Sequence, residues 1–214
     1  MTWWPTAIAV VASYFVGAIP VGYLLVRSLK GIDIRTVGSG NVGATNAARA
    51  LGGKKYFFIC FFIDVLKGLA PCLAVGLFAG HGWLRDPAPL PVVLSGIAAI
   101  AGHNWPVYIG FRGGKGVATS AGVLAYVAPA GVLVGLLAWL VVFAASRYIS
   151  LASMVAAVAT AVAVAWRNAG RLDEAKYVVG FAALVAVAVV VRHRSNIRRL
   201  LDGTEPKVVS KGKV

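Results

Sequence analysis

The sequence predicts an all-α protein, a polytopic membrane bundle of seven transmembrane helices with short helices possible around Pro129. Three observations predict it. Hydrophobic residues make up 59% of the 214-residue chain, charged residues only 13%, and the mean hydropathy is +0.81, far from the balance of an ordinary soluble domain. Apolar runs approaching the roughly 20 residues needed to cross a bilayer recur along the chain, joined by short polar segments. The basic residues concentrate in particular segments outside those runs.

The first run, residues 3–26, has no Lys or Arg before it. It is also too long for a signal-peptide core, so it reads as a retained helix, with Trp3 and Trp4 suited to the membrane interface. The second run, 56–80, carries Cys60 and Cys72, which lie about 18 Å apart along one helix and cannot pair there. It also carries Asp64 and Lys67 at i, i+3. Opposite charges within a membrane are costly, so they are expected to pair with each other. A substrate phosphate is a second possible partner for Lys67. The run at 90–109 follows. The next, 117–145, is 29 residues long and contains Pro129, which disfavours helix at Ala128. Runs at 151–166 and 177–191 complete the set.

One kinked helix over 117–145 gives six spans; two short helices give seven. Charge chooses between them. With seven spans and the N-terminus outside, segments 27–55, 110–116, 146–150 and 192–214 are cytoplasmic. They hold six, two, one and seven Lys or Arg, sixteen of the chain's 21. Six spans would put the basic tail outside, so the positive-inside bias favours seven with a cytoplasmic C-terminus. The stretch before Pro129 is then only about 18 Å long and needs thinned bilayer or neighbouring helices. The net charge of +14 has the same explanation, and no nucleic-acid partner is expected. One domain, 1–214, is expected.

This topology gathers the Gly-rich and polar motifs on the cytoplasmic side. G-S-G-N-V-G at 38–43 spells a dinucleotide fingerprint. That reading needs a preceding strand, a βαβ unit and an acid about 20 residues on. Here a membrane run precedes it, and the available acid, Asp64, lies in the next one. What remains is an anion-binding loop: glycine N–H groups, the neutral side chains of Ser39, Asn41, Thr45 and Asn46, and Arg49 as a fixed cation.

The second motif, G-H-N-W-P-V-Y-I-G-F-R-G-G-K-G-V-A-T at 102–119, fails the Walker A spacing. It still offers adjacent backbone donors and Lys115 near a helix start. His103 in it reads as structural. The third, R-H-R-S-N-I-R-R-L-L-D-G-T-E at 192–205, sets His193 and Asn196 at i, i+3 among four arginines. A basic tail lying on anionic lipid accounts for the arginines but not for that pair. Arg147, Ser150 and Ser153 mark a polar turn on the same side. His81 and Asp86 match the H-x-x-x-x-D acyltransferase signature, but fall in a loop on the opposite face and read as coincidence.

Together the three long motifs, in this order and spacing, resemble the signatures of the bacterial acyl-phosphate:glycerol-3-phosphate acyltransferases (PlsY family), over essentially the whole chain. The resemblance implies a multi-pass inner-membrane enzyme with its active site facing the cytoplasm. Its substrates would be glycerol 3-phosphate and a fatty acyl phosphate, its product lysophosphatidic acid, with no metal or cofactor, acting as a monomer in the lipid bilayer. It implies catalytic roles for Ser39, Arg49, His193 and Asn196, and a phosphate-binding loop at Gly113, Gly114 and Gly116 beside Lys115. Substrate contacts are further expected at Asn41, Thr45, Asn46, Ser150 and Lys67, and Glu205 matches a structural position. His193 and a substrate phosphate are the two candidate bases. The rival reading is a transporter of phosphorylated metabolites or other anions, which would be expected to show an internal repeat and a midplane site; the sequence shows no such repeat.

Overall fold

The computed structural model describes residues 4–78 and 89–208, all helix, turn and connecting loop. Trp3 and the His81/Asp86 pair lie outside the described residues. The chain folds as two compact units, 1–127 and 128–214.

In the first unit, α1 (Trp4–Gly17) and α2 (Val21–Lys30) replace the single helix expected over 3–26. Pro20 has no N–H to donate and disfavours helix at Ile19, so the chain breaks at Ala18-Ile19-Pro20. Lys67 repairs the break by donating from Nζ to the Ile19 carbonyl at 2.8 Å. Helices α3 (Ala44–Leu51), α4 (Lys54–Phe78), α5 (Leu90–Asn104) and α6 (Val117–Val127) complete this unit.

Its crossings are backbone-close. Gly17 lies against the Ala99 backbone and Gly102 against the Tyr14 carbonyl, which seats α1 on α5. Gly68 meets the Thr119 carbonyl and Gly122 the Val65 carbonyl, which seats α4 on α6. A Cβ at any of the four would overlap main-chain atoms. Association between membrane helices rests on such packing, because lipid tails are as apolar as the side chains they would displace. Val21, Val26, Ile34, Val42, Ala47 and Cys60 form a small core where α2, α3 and α4 meet. Cys60 and Cys72 are buried and free in α4.

The second unit holds α7 (Pro129–Ser146), α8 (Ile149–Arg167), α9 (Leu172–Arg192) and α10 (Arg194–Leu201). The chain breaks at Ala128, whose φ of −151° and ψ of 62° are not helical, and Pro129 opens α7. Gly131 and Gly135 let α7 lie against Thr160 of α8. Leu133, Leu137, Leu140 and Val141 stay exposed on α7, as a lipid-facing surface requires.

Six helical segments among the described residues are long and apolar enough to cross a membrane, the first being the broken Trp4–Lys30. The eleven-residue α6 is apolar but shorter, about 16 Å. Residues 192–201 run as the end of α9, a turn at His193 and the helix α10, with Asn196 in its first turn.

Candidate active site

The first unit carries two glycine loops. The first begins where Asp33 caps a tight turn, Ile34–Thr36, accepting from the Arg35 N–H at 2.9 Å. The Arg35 guanidinium returns to Asp33 at 2.6 Å, donates to the Ile109 carbonyl at 2.9 Å and lies over the Tyr23 ring. The Arg35 hydrogen bonds hold the Asp33 carboxyl below the ordinary carboxylate range. Arg35 therefore ties the first loop to the approach of the second. The sequence motifs passed over it, because a short-range Asp/Arg pair carries no signature.

Gly38 and Gly40, at φ of 60° and 68°, bracket Ser39 and turn it outward, exposed, at the loop apex. Asn46 holds this apex from below. Its Oδ1 accepts the Ser39 N–H at 3.1 Å, and its Nδ2 donates to the carbonyls of Ile34 and Val37 at 3.2 and 3.0 Å. Asn46 is only 2% exposed. Its amide thus faces the loop backbone. Asn41 accepts the Gly43 N–H at 2.9 Å.

From Ala44 the chain is helix, so Thr45 and Arg49 are not loop residues as expected. Gly43 starts α3 in an extended conformation, and A-T-N-A-A-R-A-L lacks any breaker until Gly52 closes it. Thr45 is half-buried in the first turn; Arg49 is exposed in the last.

The second loop, 113–116, lies on the C-terminal end of α5. The Gly114 N–H donates to the His103 carbonyl at 3.1 Å. A Cβ on Gly113 would strike the His103 carbonyl, one on Gly114 the His103 imidazole, and one on Gly116 the Asn104 amide oxygen. These glycines are required by contact beneath them, and Gly116 also by its φ of 80°. Lys115 is half-buried between them. Lys67 is enclosed in α4, paired with Asp64 at 2.8 Å and with the Ile19 carbonyl.

In the second unit, His193 sits at the turn between α9 and α10, 3% exposed. Its Nδ1 lies 2.8 Å from the Val189 carbonyl. A carbonyl only accepts, so Nδ1 carries the hydrogen and the neutral ring keeps its lone pair on Nε2. Asn196 donates to Glu205 at 2.6 Å, Ser150 donates to the same carboxylate oxygen at 2.6 Å, and Arg199 donates to the other at 2.7 Å. Ser150, expected as a substrate contact, is a buried strut between α8 and Glu205.

Burial pushes the Glu205 carboxyl up, but the donors Ser150, Asn196 and Arg199 outweigh it and hold it below its ordinary 4.5. The stabilisation this implies is fully present above that ordinary value and is lost as pH falls through the lowered one. Glu205→Gln is expected to cost about 2 kcal/mol at pH 7, the range of charge-assisted hydrogen bonds. Thermal unfolding from pH 7 down to pH 3 checks it: the gap to the native chain should close as Glu205 itself is protonated. Among the described residues no three His, Cys, Asp or Glu side chains cluster as metal ligands.

Residues 7–203 match a family model described as glycerol-3-phosphate acyltransferase. A glycerol-3-phosphate acyltransferase of Aquifex aeolicus is 44% identical over 200 residues, spanning 92% of this chain and 95% of its own. One from Gloeobacter violaceus is 44% identical over 207 residues, 96% of each chain. The crystal structure of PlsY, an integral membrane glycerol 3-phosphate acyltransferase, in its glycerol 3-phosphate form superposes with a TM-score of 0.83. It is 39% identical and covers 96% of both chains. The lysophosphatidic acid form of PlsY superposes with a TM-score of 0.80 at 38% identity, again over 96% of both chains.

Proposed function

The chain belongs to the glycerol-3-phosphate acyltransferase family, and from that premise we propose that it moves a fatty acyl group from acyl phosphate to the 1-hydroxyl of glycerol 3-phosphate. The products are lysophosphatidic acid and inorganic phosphate, the first acylation of phospholipid synthesis. The observation that carries this reading is the pair of glycine loops of the first unit, tied together through Arg35 and Ile109. Two phosphorylated substrates call for two places where backbone can approach an anion closely, and the glycine loops at 38–43 and 113–116 suit them.

The glycerol 1-hydroxyl attacks the carbonyl carbon of the acyl phosphate. A new ester C–O bond forms, the C–O bond to phosphate breaks, and phosphate leaves with the electron pair. The hydroxyl proton passes to a phosphate oxygen. Arg49 and Lys115 neutralise phosphate charge, while Ser39, Asn41, Thr45 and loop N–H groups orient the carbonyl and its developing oxyanion. Gly113, Gly114 and Gly116 cradle the phosphate of glycerol 3-phosphate. His193 and Asn196 are the catalytic residues of the second unit. An apolar groove lined by Ile19, Pro20, Tyr23, Leu24, Tyr108 and Ile109 opens at the α1–α2 break and suits an acyl chain.

The enzyme works as one domain and as a monomer in the bacterial inner membrane. Seven spans, with α6 as the short one and the N-terminus outside, put the glycine loops and the basic C-terminal segment in the cytoplasm. The test is incorporation of radiolabelled glycerol 3-phosphate into an organic-extractable product by the purified protein in vesicles. Lauroyl phosphate should support it and lauroyl-CoA should not. Water-soluble label trapped inside the vesicles, with no lipid product, would instead show a transporter.

A further inference from the structure

Asp64, Lys67 and His103 take no step in the transfer proposed above, yet they form one buried line of contacts. The Lys67 and Asp64 side chains are 5% and 4% exposed and paired at 2.8 Å. Beyond Lys67 lies the Ile19 carbonyl at 2.8 Å, at the α1–α2 break. Beyond Asp64 lies Nδ1 of His103 at 3.6 Å, an electrostatic rather than a hydrogen-bonded distance. His103 then meets the second glycine loop twice: its carbonyl takes the Gly114 N–H, and its ring occupies the space a Gly114 side chain would need.

An ion pair enclosed in a membrane helix is weak evidence for stability, because well-packed apolar residues often replace such pairs without loss. Fixed geometry is what this arrangement provides. With Nδ1 turned to Asp64, the other edge of the imidazole faces Gly114.

We propose that Asp64, Lys67 and His103 are positioning residues, a buried strut running from the α1–α2 break to the 113–116 loop that sets the loop's geometry for the phosphate of glycerol 3-phosphate. The inference rests on the reading of that loop as the glycerol 3-phosphate site. The strut acts on one substrate only. Loosening it raises KM for glycerol 3-phosphate while the acyl-phosphate KM and kcat hold, a split that general destabilisation does not produce, since loss of folded protein lowers apparent kcat and leaves both KM values alone.

The test is steady-state kinetics of the full-length protein in vesicles. Asp64→Asn removes the charge that orients His103 and keeps the shape. It should raise KM for glycerol 3-phosphate about tenfold, with the acyl-phosphate KM within about twofold and kcat within about threefold. Asp64→Asn strands the Lys67 ammonium, so His103→Gln, which leaves the Asp64–Lys67 pair and the Lys67 bond to the Ile19 carbonyl in place, is measured beside it and should show the same split. Equal change in both KM values, no change, or failure of both variants to insert would each overturn the proposal. Lys115→Ala separates the two claims. If it raises KM for glycerol 3-phosphate and Asp64→Asn does not, the strut is refuted and the loop reading stands. If Lys115→Ala leaves that KM unchanged, the loop reading falls and the strut with it.

Discussion

Asn46→Asp is expected to lower kcat/KM by about a thousandfold in a chain that still folds and inserts. The carboxylate can still accept the Ser39 N–H, but it loses the two donors that Asn46 gives to Ile34 and Val37. The carbonyls keep one backbone donor each, the Val37 N–H on Ile34 at 3.4 Å and the Gly40 N–H on Val37 at 3.1 Å, but both now face a buried negative charge. At about 1 kcal/mol for each of the two lost hydrogen bonds and about 2 for a buried carboxylate set against carbonyl oxygens, the loop loses about 4 kcal/mol of order, equivalent to about three decades in the population of its active form. The loop joins two helices rather than packing inside one, so far-ultraviolet circular dichroism should match the native chain. Near-native activity would show that Asn46 does not hold the Ser39 loop. Ser39→Ala leaves the backbone hydrogen bond in place and separates the hydroxyl's own part from that of the loop.

His193→Ala is expected to cost about 10² to 10³ in kcat/KM, the effect of losing one preorganised polar contact to the reacting groups. The hydrogen bond to Val189 fixes which nitrogen can act. In the proposed reaction Nε2 would be the nitrogen that acts, either accepting from the glycerol hydroxyl as neutral imidazole or donating to phosphate as imidazolium. If a substrate phosphate takes the proton, a side chain that hydrogen-bonds from the Nε2 position without titrating suffices. His193→Gln should then recover at least about tenfold over alanine and keep the pH–rate limb near neutrality. A glutamine variant as inactive as alanine, with that limb gone, would make His193 the general base.

Much of the fold was legible because burial in a bilayer writes itself as long apolar runs, and because Pro129 interrupts one of them visibly. Pro20 interrupts another, yet G-A-I-P is apolar on both sides, so composition gave no sign of the break between α1 and α2. Its stability depends on Lys67, 48 residues away, which no local pattern shows. The site divides similarly. Glycine loops announce anion chemistry through residue type, and Ser39, Lys115 and the 113–116 glycines lie on those loops. A polar side chain in such a motif reads as a ligand whether it faces the substrate or the backbone. Asn46 and Ser150 face protein, and only tertiary structure shows it. Arg35 is the converse case: it carries no motif, and its reach to Ile109 spans 74 positions.

The central claim is that acyl phosphate and glycerol 3-phosphate react directly with each other on this protein. Inorganic phosphate and lysophosphatidic acid should therefore be followed together, with the purified protein given each substrate alone and then both. The account predicts no release above background with either alone, and one phosphate per lysophosphatidic acid with both. Phosphate released from acyl phosphate without glycerol 3-phosphate, at the rate seen with both and with no lipid formed, would contradict it.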